Sequence, residues 1–248
     1  YYSVFHSVSA FCNAGFDLMG AETPFSSLTA EAGNWYLNLV IMALIVIGGL
    51  GFFVWLDLLD SRFRFKNLRL HSKIVVFMTA VLLAGGALGL FLLELTGEAY
   101  EGMSLGDRIL ASLFQSVTVR TAGFNTVDLA ALREGSIFLM ICLMVVGGST
   151  GSTAGGMKTT TAAVLVLSIF STFRQKKNVE CFKRRLEDGI TRTASCIFMM
   201  YLILIILSTL VLSAAEGIPV LTAMFETTSA IATVGVTCLL YTSDAADD

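Results

Sequence analysis

Long apolar segments alternate along the chain with short polar segments that contain glycine. Four apolar segments are long enough for a membrane-spanning helix, which needs about 20 residues. They occupy residues 34–60, 74–95, 135–173 and 194–215. A block of glycine, serine and threonine interrupts the third segment near its centre, and we expect the helix to break there. The pattern predicts an all-α integral membrane protein.

A polar run that contains glycine occurs three times in variant form. The copies read FHSVSAFCNAGF at 5–16, FQSVTVRTAGF at 114–124 and FETTSAIATVGV at 225–236. In the first and third copies a Phe precedes the Gly by ten residues, and a Ser-Ala pair follows that Phe by four and five residues. The middle copy is one residue shorter. A period of about 110 residues is too long for a solenoid and favours a repeated membrane unit.

The segments that precede these glycine runs are too short to cross a bilayer. Ser104 followed by Asp107 resembles a capping box that opens a helix near Leu105, and this helix is expected to run only to about Val119. Pro219 begins a comparable short helix. We therefore expect re-entrant helices that end at the glycine runs, because irregular backbone at membrane depth is tolerated where it lines a cavity.

The composition agrees with a membrane protein and gives no support to an enzyme. Hydrophobic residues make up 55% and charged residues 14%, whereas soluble chains carry roughly a quarter charged residues. The five cysteines show no metal-binding spacing, and neither His6 nor His71 has a companion at ligand spacing. No Ser/His/Asp or Cys/His constellation is visible in the sequence, so no catalytic residues are expected.

Basic residues predict the orientation of the chain in the membrane. The loops 61–73 and 174–192 contain twelve of the sixteen Lys and Arg residues. The spans on either side of each loop place both loops on one side, which the positive-inside rule makes cytoplasmic. All three re-entrant segments then enter from the outside. We expect a multi-pass protein of a cell membrane, most simply a bacterial one.

Repeated glycine runs at one depth suit a path for cations. A cation that loses water needs protein oxygens in its place, and extended backbone can supply carbonyl oxygens. Glycine permits the required dihedral angles, and the C-terminus of a short helix adds partial negative charge. Asp17 and Asp128 follow the first and second runs, either as acids that concentrate cations at an outer mouth or as ordinary solvated loop acids.

The three runs, together with GGSTGSTAGGMKTTT at 147–161, closely resemble the pore-forming subunits of the Trk/Ktr/HKT superfamily, most of all the bacterial KtrB and TrkH type of potassium uptake subunit. The resemblance covers residues 3 to about 237. It implies repeated units of helix, re-entrant pore loop and helix around a pseudo-fourfold pore. Carried over by position, it assigns the ion filter to Asn13, Ala14, Gly15, Thr121, Ala122, Gly123, Thr233, Val234 and Gly235.

The resemblance also divides the chain into parts. It gives 1–60 as the second pore unit without its first helix, 61–73 as a basic cytoplasmic loop, 74–173 as the third unit, 174–192 as a second basic loop and 193–237 as the fourth unit. The first unit and the last helix of the fourth are expected to be missing, so the chain is expected to be a fragment. Residues 238–248, CLLYTSDAADD, are expected to be a non-native tail.

The resemblance makes the glycine-rich block an intramembrane gating loop at 147–156. Its members are Gly147, Gly148, Ser149, Thr150, Gly151, Ser152, Thr153, Ala154, Gly155 and Gly156, with Lys158 assigned to the gate as well. Lys158 either discourages cation flow at rest, or it pairs with an acidic residue or extends to the membrane interface. The block also approaches a phosphate loop, but Met157 separates the glycine from the lysine and no strand-turn-helix unit surrounds it.

Arg120 lies three residues before Gly123, where burying a charge is expensive. In the ion path it would repel a cation. We therefore expect a filter support that sits behind the filter, paired with a carboxylate or with carbonyl oxygens. Glu226 is a candidate partner by its position in the fourth unit.

The predicted function is uptake of K⁺, with Na⁺ considered as a coupling or activating ion and no cofactor in this chain. The resemblance implies a homodimer on a cytoplasmic nucleotide-binding regulatory subunit, which would contact the basic loops, and no nucleic acid. The lipid bilayer is the remaining partner. The alternative is a proton- or sodium-coupled secondary carrier with a midplane site at broken helices. A scaffold subunit would leave the glycine runs without a reason.

Overall fold

The computed structural model describes residues 1–19, 27–175, 179–182, 184–185 and 188–238. This part of the chain is mostly helical, with one short hairpin. Its α-helices are α1 Tyr2–Phe11, α2 Trp35–Leu50, α3 Phe52–Asp60, α4 Leu70–Leu93, α5 Leu105–Thr118, α6 Glu134–Val145, α7 Thr159–Phe173, α8 Asp188–Glu216 and α9 Val220–Ile231. The hairpin pairs β1 Glu180–Cys181 with β2 Arg184–Arg185 in antiparallel fashion. The predicted all-α class is confirmed.

Two helices of the described residues are long and apolar enough to span a membrane by themselves. They are Leu70–Leu93 and Gly189–Glu216, and they coincide with two of the predicted spans. Much of their surface is exposed large apolar side chains, such as Phe77 on α4 and Leu207 on α8. Such a surface is suited to lipid rather than to water.

The first predicted span is not one continuous helix. Helices α2 and α3 form a pair that is bent by 92° at Gly51. Gly51 has φ +89°, and a Cβ on it would lie 2.6 Å from Ser149 Oγ and 2.9 Å from the Thr150 carbonyl oxygen. Close approach by a distant loop therefore accompanies the bend, and neither a left-handed φ nor that contact suits a residue with a side chain.

The third apolar segment is divided into α6 and α7. The backbone between them closes on itself, since the Gly147 N–H donates to the Met157 carbonyl at 2.9 Å and the Thr159 N–H donates to the Gly148 carbonyl at 3.0 Å. Val146 and Met157 form an isolated parallel bridge. The ends of α6 and α7 are thus brought side by side, and the glycine-rich loop projects from them.

Two of the short helices, α5 and α9, begin where the sequence predicts. The Ser104 hydroxyl accepts the Asp107 N–H at 3.2 Å and donates to the Asp107 carboxylate at 2.7 Å, which confirms the predicted capping box of α5. Helix α9 begins at Val220, directly after Pro219. Pro suits this position because its missing N–H would have no partner in the first helical turn.

Helix α5 lies at the centre of the described structure. It packs against α4, where Gly86 lets the Ser116 hydroxyl approach and donate to the Leu83 carbonyl at 2.9 Å. One apolar cluster joins residues of α4, α5, α6 and α9, and a second joins α1, α2 and α5. The packing thus holds α1, α5 and α9 in one body, with their C-terminal ends directed to a shared region.

Candidate functional site

The three predicted filter segments, 13–15, 121–123 and 233–235, have the same backbone conformation. The first residue of each is left-handed: φ is +50° at Asn13, +72° at Thr121 and +57° at Thr233. The last residue is a glycine with positive φ, +71° at Gly15, +95° at Gly123 and +85° at Gly235. Residues other than glycine seldom adopt a left-handed backbone conformation. Three such residues at equivalent positions indicate that the repeat in sequence is also a repeat in backbone geometry.

A hydroxyl group on the helix before each filter segment donates a hydrogen bond to the carbonyl just after that segment. Ser9 donates to the Phe16 carbonyl at 2.8 Å, Thr118 to the Phe124 carbonyl at 2.6 Å, and Ser229 to the Val236 carbonyl at 2.6 Å. In every case the acceptor is the residue directly after the filter glycine. The repeated hydroxyl positions are visible in the sequence, but their role was missed because it depends on the turn between helix and filter.

The filter carbonyls themselves are left unpaired. Within the described ranges, none of the nine carbonyl oxygens of 13–15, 121–123 and 233–235 accepts a hydrogen bond from the protein. Four of the nine residues are buried, namely Asn13, Thr121, Ala122 and Val234, whereas Ala14, Thr233 and Gly235 are exposed. Buried backbone carbonyls are almost always paired. An unpaired set of this size is therefore available to a cation or to water.

The filter segments meet each other directly. A Cβ on Gly15 would lie 2.7 Å from the Cα of Gly123, and a Cβ on Gly123 would lie 2.9 Å from the Cα of Gly15 and 2.7 Å from the Val234 carbonyl oxygen. Real Cβ atoms essentially never come this close to other atoms. Glycine is therefore required by space as well as by φ at Gly15 and Gly123.

The glycine-rich loop, 147–156, is bonded to the left-handed residue of two filter segments and touches the third. Asn13 donates from Nδ2 to the Thr153 hydroxyl at 3.2 Å, and the Thr121 hydroxyl accepts the Gly155 N–H at 3.2 Å. Gly155 also packs against Thr233, since a Cβ there would lie 3.0 Å from the Thr233 Cβ. Thr153 in turn donates to the Phe11 carbonyl at 3.0 Å, at the end of α1.

The same loop is tied to the bend between α2 and α3. The Ser149 N–H donates to the Gly49 carbonyl at 3.0 Å, and the Thr153 N–H donates to the Gly48 carbonyl at 3.3 Å. The Phe52 N–H donates to the Gly151 carbonyl at 3.0 Å, and the Ser149 hydroxyl donates to the Leu50 carbonyl. The bend exposes the carbonyl and amide groups that a regular helix would pair internally, and the loop uses them.

Two basic side chains contact carbonyl oxygens at the two ends of the glycine-rich loop. Arg120 is 7% exposed, and its Nη2 donates to the Gly147 carbonyl at 3.0 Å. The half-buried Lys158 donates to the Ala154 carbonyl at 2.7 Å. The contact shown for Arg120 is thus with a carbonyl oxygen, whereas the Glu226 carboxylate accepts from Thr237 and Cys238. Arg120 links the third filter segment to the start of the loop.

The two acids that follow the filter runs make local turns. Asp17 accepts the Met19 N–H at 3.0 Å, and the exposed Asp128 accepts the Ala130 N–H at 2.9 Å. Among the described residues, no group of three or more His, Cys, Asp or Glu side chains could hold a metal ion.

Short helices that end at unpaired glycine-containing segments, set between apolar spans, define a membrane protein of the transporter and channel class. The chain belongs to the TrkH family, described as cation transport proteins, whose model matches residues 1–238. This is a family of transporters rather than of enzymes.

Individual relatives agree with the family. The chain is 40% identical to the potassium/sodium uptake protein NtpJ of Enterococcus hirae over 241 residues, 96% of this chain and 52% of the relative. It is 39% identical to Ktr system potassium uptake protein B of Bacillus subtilis, with 95% of this chain and 52% of the relative covered. The chain thus spans about half the length of these curated relatives.

A solved structure shows the same fold. The crystal structure of the potassium transporter TrkH from Vibrio parahaemolyticus superposes with a TM-score of 0.67 at 22% sequence identity. The match covers 90% of this chain and 47% of that one. The helical fold described above therefore matches the fold of that protein.

Proposed function

We propose that this chain forms part of the pore of a potassium uptake protein, in which K⁺ passes a filter of backbone carbonyls at 13–15, 121–123 and 233–235. The observation that carries the proposal is the set of nine carbonyl oxygens without a hydrogen bond in the described structure. A dehydrated cation needs oxygen ligands of this kind. Relatives named as potassium or potassium/sodium uptake proteins support K⁺ as the transported ion. A coupling or activating role for Na⁺ is part of the proposal.

The complete protein is proposed to carry a fourth filter segment. The relatives are about twice as long as this chain, and the three units described here share one backbone pattern. A fourth unit of the same kind would close a pseudo-fourfold ring around the ion path. Movement of K⁺ would then be driven by its electrochemical gradient.

The glycine-rich loop, 147–156, is proposed to be the gate. It contacts the left-handed residues of all three filter segments, so it lies next to the path that an ion would leave by. Its many glycine and hydroxyl residues allow it to change conformation without disturbing α6 and α7. On activation the loop would move aside, and Arg120 and Lys158 would hold its ends at rest through carbonyl contacts.

The proposed assembly is a homodimer seated on a cytoplasmic nucleotide-binding regulatory subunit. The loop 61–73 offers the exposed basic residues Arg62, Arg64, Lys66 and Arg69 for that contact. The second basic loop, 174–192, lies partly outside the described residues, as do residues 239–248 of the predicted tail. The location proposed is a bacterial cell membrane, with both basic loops in the cytoplasm.

The test is K⁺ uptake by the complete gene product in cells that lack their own uptake systems. Gly123→Ser would force a Cβ to within 2.7 Å of the Val234 carbonyl at a left-handed φ, so we expect loss of K⁺ affinity or selectivity. Gly85→Ser is the matched control, because a Cβ there meets nothing within 4 Å. Equal transport by both variants would contradict the filter and favour a carrier with its site elsewhere.

A further inference from the structure

One polar position on each short helix remains without a role in the proposal above. It is the residue directly after the Phe that begins each repeat: His6 in α1, Gln115 in α5 and Glu226 in α9. Each precedes the hydroxyl residue of its helix by three positions, and residues three apart lie on the same helical face. The side chain at this position therefore faces the same filter segment as the hydroxyl does.

In two of the three units this side chain holds the same backbone group. His6 Nε2 accepts the Leu18 N–H at 3.4 Å, and Leu18 is three residues beyond Gly15. Glu226 Oε1 accepts the Cys238 N–H at 2.7 Å, and Cys238 is three residues beyond Gly235. The donor is a backbone N–H, so any residue other than proline at position 238 of the complete protein keeps this bond. The carboxylate also accepts the Thr237 hydroxyl at 2.8 Å. The two bonds fix the outer end of the filter turn to its own helix.

The third unit is held by other means. Gln115 is 1% exposed, and both polar atoms of its amide have no hydrogen-bond partner among the described residues. Instead the Asn125 N–H donates to the Ser27 hydroxyl at 3.1 Å, and the Asn125 carbonyl accepts the Leu28 N–H at 2.9 Å. Ser27 and Leu28 belong to the connection that follows the first filter segment. The outer end of the third segment is therefore fastened to a neighbouring unit.

The hydrogen bonds made by Glu226 and His6 differ in strength. A carboxylate that accepts a backbone N–H makes a bond roughly twice as strong as a neutral pair does. The bond to Glu226 is short and charge-assisted, while the bond to His6 is at the long limit of a hydrogen bond. At this position the segment 233–235 is thus held more firmly than the segment 13–15.

We infer that Glu226, with a smaller contribution from His6, is a positioning residue that sets the ion preference of the filter through the backbone three residues beyond the filter glycine. The inference rests on the proposed function, because it concerns the same filter. Carbonyl oxygens that can shift adapt to a smaller ion, whereas oxygens held at fixed spacing favour the larger one. Loosening the outer end should therefore reduce the preference for K⁺ over Na⁺.

The experiment compares initial rates of K⁺ and Na⁺ uptake by the complete gene product carrying Glu226→Gln, Glu226→Asp or Glu226→Ala. Gln keeps an oxygen that can reach the Cys238 N–H, whereas Asp keeps the charge but is one methylene too short. We expect Asp and Ala to raise the KM for K⁺ and lower the K⁺/Na⁺ preference by about tenfold, with Gln close to wild type. Thr222→Ala is the control, because Thr222 lies on the same helix and its hydroxyl makes no hydrogen bond among the described residues.

The outcomes separate this inference from the proposed function. If wild type takes up no K⁺, the proposed function fails first. If wild type transports K⁺ and Glu226→Asp keeps both its KM and its K⁺/Na⁺ preference, the inference is overturned. A fall in maximal rate alone, matched by less protein in the membrane, shows that Glu226 serves folding and also overturns it. His6→Gln should change the preference less than Glu226→Asp does, because the His6 bond is the longer one.

Discussion

Hydroxyl groups at three equivalent positions perform the same task in the three filter segments. Ser9, Thr118 and Ser229 each donate to the carbonyl of the residue after the filter glycine. That carbonyl is therefore turned toward the helix, and the unpaired carbonyls begin one residue earlier. A single side-chain oxygen thus fixes where the filter ends.

Thr118→Val should show how much this bond contributes. Valine has nearly the same shape, so the loss is that of one buried hydrogen bond, about 1–3 kcal/mol when an acceptor is left unpaired. We expect a lower unfolding temperature of the detergent-solubilised complete protein and weaker K⁺ affinity. Thr126→Val is the matched control, because Thr126 is equally buried and its hydroxyl has no partner in the described structure. Equal effects of the two substitutions would assign the change to packing.

At the scale of elements, the bend at Gly51 and the glycine-rich loop form one unit. The loop bonds to the groups that the bend leaves free, and Gly51 has no room for a side chain beside Ser149 and Thr150. The composition of α2 and α3 does not account for the bend, because together they are apolar enough for a straight span. The bend is a tertiary effect.

Gly51→Ala should therefore act on the loop rather than on the helix. The new Cβ would lie 2.6 Å from Ser149 Oγ at φ +89°, so the loop must shift. If the loop is the gate, we expect a higher maximal rate of K⁺ uptake per molecule of protein in the membrane. Gly49→Ala is the control, since its Cβ would meet Asn13 Nδ2 at an ordinary 3.5 Å. An unchanged rate in Gly51→Ala would count against the gate.

At the scale of the whole molecule, a buried acid at the end of α4 is bonded to the start of α6. Glu94 is 0% exposed at the end of α4. Its Oε1 accepts the Arg133 N–H at 2.9 Å and the Ser136 hydroxyl at 2.5 Å, at the start of α6. A carboxylate at a helix N-terminus pairs an otherwise free N–H and complements the helix dipole. The acid thus fixes where α6 begins, and α6 leads to the glycine-rich loop.

Glu94→Ala should destabilise the protein by about 1–2 kcal/mol, the usual cost of removing an N-terminal cap. Glu94→Gln should cost less, because the amide oxygen can still accept the Arg133 N–H. Thermal unfolding of the complete protein in detergent measures both. Glu98→Ala removes an exposed acid four residues after Glu94 and should leave the unfolding temperature unchanged. If Glu94→Ala unfolds at the wild-type temperature, the carboxylate does not anchor α6.

Local patterns predicted the parts of this molecule, and distant contacts decided how they are joined. The capping box at Ser104, the start of α9 after Pro219 and the spans near α4 and α8 depend on neighbouring residues, so the sequence predicts them. The bend at Gly51 and the bond from Arg120 to Gly147 depend on groups far apart in the chain. In the sequence, the signal for the bend was the set of glycines at 48, 49 and 51, but their effect depends on which loop packs against them.

Under the proposed function, the bonds between the glycine-rich loop and the filter segments would couple the position of the loop to the binding of K⁺. Asn13 and Thr121 each belong to a filter segment, and their side chains are hydrogen-bonded to the loop at Thr153 and Gly155. If the loop position changes the affinity of the filter for K⁺, ion occupancy must bias the loop position by the same free energy. The potassium concentration outside the cell would then itself regulate the opening of the gate, because K⁺ bound to the filter backbone would shift the position of the loop.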